Sequence, residues 1–240
     1  NKGRGHITMT ISGGTIGNDD EYNYDADNRL THTKGGNVFA GGMGRLYKLD
    51  GTPNTSVDWR KMGCAKSTKL TISGDAEIKS CVYGGGELGQ VVGTHTITNV
   101  ANEDVDVSTE IIIQGGTIGT EIKDNGYTQY TFGSVFGGGY GSDVDDITVT
   151  IDEEETLTRP KLEAGLVYGD TKVNMSGGAV KASIYGGGEM AGVGVSTTSG
   201  ETTTVTGSTF VTVSAGSVGI DRIQLSDNTY RYFGGATMGN

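Results

Sequence analysis

Proline is almost missing: Pro53 and Pro160 stand alone beside 43 glycines in 240 residues. Glycine at that level without proline, and with no strict three-residue period, excludes collagen. Histidine is scarce too, with His6, His32 and His95 scattered along the chain. No Ser/His/Asp or Cys/His grouping for nucleophilic catalysis is legible among them. Cysteine occurs only at Cys64 and Cys81. These flank the first strand of one repeat, leave a disulfide open, and are too few to fix a compartment. Basic residues are outnumbered, giving a formal net charge of −11 and a pI near 4.6. Nucleic acid is therefore not an expected partner, since phosphate binding needs a basic footprint. No apolar run approaches the roughly 20 residues that span a bilayer, so membrane insertion is not expected. No signal peptide opens the chain, and no long stretch carries the apolar period of a helix.

What the sequence does contain is self-similarity. One motif reads x-x-h-x-h-S-G-G, with h apolar and threonine usual at its start. Its copies begin at Ile7, Thr68, Thr109, Thr171 and Thr209. A second motif, an apolar residue and an aromatic followed by a glycine run, trails each copy. Its aromatics are Phe39, Tyr83, Phe136, Tyr185 and Phe233, spaced 44, 53, 49 and 48 residues apart. The first motif alternates with period two, so Leu70 and Ile72, Ile111 and Ile113, and Val173 and Met175 share one face of a strand. The closing Gly-Gly is a corner, where positive φ costs glycine little. A third, weaker strand is expected at 94–100, 147–151 and 202–205.

Three short strands and three corners per repeat describe an all-β fold, a right-handed parallel β-helix of about five coils with loop insertions. The whole of 1–240 reads as one such domain, a segment of a longer protein or one that self-associates end to end. Handedness follows the general preference of parallel crossovers. The long period argues against the competing antiparallel sandwich.

The pairing of T-x-V-x-I-S-G-G with V-Y-G-G-G-x-x-G resembles the Gly-rich repeats of large β-helical, adhesin-like surface proteins of the Bacteroidetes type. The likeness is carried best by Leu70 to Gly89 and Val173 to Gly188. It implies a β-solenoid at the cell surface or outside the cell, and brings no catalytic residue with it. Ala40 and Ala236 depart from the pattern by replacing glycine.

Gly84-x-Gly86-x-x-Gly89 spells the dinucleotide fingerprint, but strand-like Gln90-Val91-Val92 follows where a helix must begin. It reads as a structural turn. Gly138 to Asp143 matches the opening of a Ca²⁺-binding nonapeptide, and Asp143, Asp145 and Asp146 are the candidate oxygen ligands. The nonapeptide does not recur, and a solvated acidic corner is the plainer reading; no other cofactor is implied. Charge runs at Asp19-Asp20-Glu21 and Asp152 to Glu155 read as solvated loops.

The connections 18–36, 45–66, 119–133 and 220–231 break the repeat and carry Tyr22, Tyr24, Trp59, Tyr127 and Tyr130. Such rings suit stacking on sugar or contact with a surface protein, and equally suit covering the flank of the coil. The expected role is a non-catalytic, extracellular scaffold presenting loops to a glycan or protein. The alternative is a polysaccharide-active β-helix enzyme, a lyase or hydrolase, which needs carboxylates of adjacent coils lining one groove.

Overall fold

The structure is a computed structural model. It describes residues 5–17, 22–24, 30–33, 36–44, 62–92, 108–124, 127–141, 147–151, 155–159, 163–219, 222–224 and 230–232. Among them every regular element is a strand.

The five copies of the first motif become His6–Ile11, Ser67–Ile72, Ser108–Ile118, Asp170–Val180 and Thr209–Val218, taken here as repeats 1 to 5. They lie side by side in that order in one parallel sheet. The pairing joins like to like. Met9, Leu70, Ile111, Val173 and Val211 form one row, and Ile11, Ile72, Ile113, Met175 and Val213 form another. Across the glycine corner a third row joins Ile16, Ile78, Ile118, Val180 and Val218. The corner works as the sequence predicts, with Gly14, Gly116, Gly178 and Gly216 at φ 81°, 81°, 82° and 100°.

The second motif forms its own parallel sheet from Val38–Phe39, Val82–Tyr83, Val135–Phe136 and Ile184–Tyr185, paired residue for residue. Its valines close the main core against the rows above. Each fully buried aliphatic side chain there contributes about 1.5–3 kcal/mol. The triple glycines continue the ladder, with Gly41 N donating to Gly85 O at 2.9 Å and Gly85 N to Gly138 O at 2.9 Å. The remaining side of each repeat is a single parallel bridge, Ala65 to Val91 to Val167 to Val193. Ala65, Val91 and Val167 make a smaller core with Ile7.

That last side corrects the expected third strand. Ile147–Ile151 and Thr202–Thr206 are strands, but each folds back antiparallel on a neighbour, Glu155–Arg159 and Val195–Ser199. Residues 94–100 lie outside the described residues. Alternating Thr and Val suits any half-exposed strand, so the pattern alone does not separate a local hairpin from a coil side.

Threonine at the motif start has a task that its β propensity hides. Thr68, Thr109 and Thr171 donate to Gly84 O, Gly137 O and Gly186 O, each at 2.5 Å, across the interior of their own repeat. Repeat 1 changes both partners at once, with Ile7 in register with Thr68 and Ala40 in the place of Gly84. Burial rises toward the middle of the array and falls at its ends, as in a stack where inner units are covered on both sides.

Candidate functional site

Two features offer chemistry or contact: the aromatic column on the outer face of the second sheet, and the hairpins that leave its corners. The column follows from the parallel register. Phe39, Tyr83, Phe136 and Tyr185 stack with centroid separations of 4.5, 5.1 and 4.9 Å and nearly parallel rings. Tyr140 meets Phe39 and Tyr83 edge-on at 6.4 and 5.8 Å. Phe233, the fifth ring of the set, lies outside the described residues.

The Tyr83 hydroxyl donates to the Glu189 carboxylate, 106 residues away. Burial, then the neighbouring Cys81 and Glu189, hold this phenol far above the ordinary tyrosine range. Because the folded state raises that value, the stability Tyr83 contributes is complete below about pH 10 and is lost above it. Tyr83→Phe is therefore expected to be less stable than the parent at neutral pH, yet to lose stability less steeply above about pH 10. Denaturant midpoints across that range check the slope.

The aromatic-bearing connections are largely antiparallel hairpins. Tyr22–Tyr24 pairs with Leu30–Thr33, Thr120–Asp124 with Tyr127–Phe132, and Arg222–Gln224 with Tyr230–Tyr232. All three leave at one corner, directly after Ile16, Ile118 and Val218 of the same apolar row. Backbone at Gly17 and Gly36 closes the neck of the first, and Gly119 and Gly133 close that of the second. Tyr22, Tyr24, Tyr127 and Tyr130 thus sit on hairpins at the same corner. Trp59 lies outside the described residues, as do Asp143, Asp145, Asp146 and both acidic runs apart from Glu155, which opens a hairpin strand.

The remaining candidates resolve into structural parts. Gly84, Gly86 and Gly89 are buried, and residues 90–92 after them are not helical; the backbone of Gly84 and Gly86 pairs with repeat 3 instead, Gly84 N donating to Phe136 O and Gly86 O accepting from Tyr140 N, each at 2.9 Å. Cys64 and Cys81 are not bonded to one another. The Cys64 thiol donates to Met62 O at 3.4 Å, and the Cys81 sulfur accepts from Ser134 N at 3.4 Å. His6 shares a hydrogen bond of 2.5 Å with Ser67. Gln90 is buried, with Nε2 donating to Glu163 O at 2.9 Å; its Oε1 has no partner among the described residues. No helix among them is long and apolar enough to cross a membrane.

Sequence reading passed over the link from Tyr83 to Glu189. The signal was present, because Glu87 and Glu189 follow the triple glycine in the two repeats whose stacking ring is tyrosine. Compared with known protein families, with curated proteins and with solved structures, the chain matches none.

Proposed function

We propose that this chain is a stretch of right-handed parallel β-helix of about five coils. We read it as a non-catalytic, adhesin-like scaffold outside the cell that presents its hairpins to glycans. The observation that carries the reading is the shared exit of three tyrosine-bearing hairpins from one corner of a densely hydrogen-bonded frame. A rigid frame with adaptable aromatic insertions lowers the ordering cost of recognition. Tyrosine offers a flat apolar ring and one hydroxyl, which suits the faces and rims of sugars. The acidic balance of the chain suits a soluble surface in contact with neutral glycans. Asp143, Asp145 and Asp146 are the residues that would hold Ca²⁺ if binding needs it.

A glycan array and a product assay on the purified chain, with and without Ca²⁺, test the reading. The expected result is retention on one glycan class with no sugar released. Replacing the three hairpins 22–33, 120–132 and 222–232 with the short Ser80-Cys81 linker type should abolish that retention while the thermal transition persists. Released sugar, or retention that survives removal of the hairpins, would overturn it.

A further inference from the structure

The repeats alternate between two kinds. In repeats 1, 3 and 5 the third apolar row is followed by Gly17, Gly119 or Gly219 and then a hairpin. In repeats 2 and 4 the same place holds Lys79 or Lys181, and the chain passes directly to Val82 or Ile184. The stacking ring alternates in step, with phenylalanine at 39, 136 and 233 and tyrosine at 83 and 185. Successive phenylalanines are 97 residues apart. The position after the bridge row Met43, Glu87, Tyr140 and Glu189 alternates as well. It is Gly44 and Gly141 in odd repeats but Leu88 and Met190, at φ 61° and 52°, in even ones.

The contacts obey this alternation. The Tyr83 hydroxyl reaches past repeat 3 to Glu189, so an even repeat is bonded to the next even one. Lys181 of repeat 4 pairs with Glu121 at the base of the repeat 3 hairpin, at 2.7 Å. The repeat 3 and repeat 5 hairpins lie against each other through Tyr127–Phe132 and Arg222–Gln224. Two strand steps are about 10 Å, the distance at which two β-sheets pack face to face. The even repeat, which sends out no hairpin at this corner, is the spacer that sets this distance.

Repeat 5 is odd, and its outer edge is uncovered among the described residues. Val211 is 45% exposed and Val218 43%, whereas Ile111, Val173, Ile118 and Val180 in the same rows are buried. Tyr185 is 49% exposed beside them. We propose that the edge Thr209–Val218 is an interaction surface for an even-type repeat. Such a partner carries Lys at the corner and Tyr-Gly-Gly-Gly-Glu in its second motif, and its glutamate accepts the Tyr185 hydroxyl. A second copy of this chain is the wrong occupant. It offers repeat 1, which is odd, and sets the 22–33 hairpin one strand step, about 5 Å, from 222–232. The inference rests on the two-repeat alternation, its contacts and the exposed edge, and stands whether or not the hairpins bind glycan.

The test extends the full chain after Asn240 with a second copy of residues 163–193, which is even, or of 5–44, which is odd. Hydroxyl-radical footprinting reads the exposure of Tyr185. The even extension is expected to cut labelling of Tyr185 several-fold and to raise the thermal midpoint, and the odd extension to do neither. Val211→Asp, harmless in the unextended chain, should restore labelling in the even fusion. Equal protection by both extensions, none by the even one, or protection of the unextended chain that grows with its concentration would overturn the proposal.

Discussion

Tyr83→Ala is expected to lower the unfolding free energy by about 3–5 kcal/mol, the range for deleting a buried aromatic. The ring is completely buried and lies between Phe39 and Phe136 at 4.5 and 5.1 Å. The cavity would open in the middle of the column, where backbone ladders on both sides resist collapse. Its loss also removes the hydroxyl that donates to the Glu189 carboxylate. Tyr185→Ala, half-exposed at the last described ring of the same column, should cost well under half as much. Urea denaturation of the two variants checks the ratio, and an unchanged m-value would place the effect in the folded state. Equal costs would mean that the column is not stacked in this order.

The second large effect is steric. Gly137→Ala is expected to cost about 1–3 kcal/mol through overpacking. The added methyl would run into the Gly186 carbonyl oxygen and approach Thr171 Cβ to 3.2 Å. Relief requires separating repeats 3 and 4, which stretches the Gly137 N to Tyr185 O bond of 2.9 Å. Gly187→Ala is the matched control, since its methyl meets nothing within 4 Å and should change stability by no more than about 0.5 kcal/mol. Thermal melts of the pair separate crowding at the repeat interface from any general dislike of losing glycine.

These two positions also mark how far the sequence could be read. Leu70, Ile72, Ile111, Ile113, Val173 and Met175 were legible as core because strand alternation puts them on one face, and all are buried. The corner glycines were legible because positive φ leaves few residue choices. The aromatic set was legible as a recurring position, since parallel register turns such recurrence into contact. Three things were not. The strands at 147–151 and 202–206 belong to hairpins, because a threonine-valine alternation has no mark of its pairing partner. The bridge row of Ala65, Val91, Val167 and Val193 is one residue wide, too short to leave a pattern. The two-repeat alternation is carried by Phe against Tyr and Gly against Lys, single changes within motifs that otherwise recur in every repeat. Its expression in contacts is the reach of Tyr83 to Glu189, two repeats on.

The candidate surface was legible in composition and not in geometry. Tyr22, Tyr24, Tyr127 and Tyr130 stood in connections of unlike length and sequence. Only the pairing of the flanking strands brings their hairpins to one corner. An insertion leaves no trace of where it exits until the strands beside it are aligned.

Dipolar coupling between spin labels tests the stacking of the repeats most directly. Thr10, Thr71 and Thr212 occupy one row of the long parallel sheet, which Ile112 and Asn174 complete. With Cys64 and Cys81 changed to serine, labels would be placed at Thr71 and Thr212, and separately at Thr10 and Thr212. A parallel, in-register stack sets backbone separations of about 14 Å for the first pair and about 19 Å for the second, one strand spacing per repeat. Equal separations, or a Thr71 to Thr212 distance longer than that from Thr10, would contradict it.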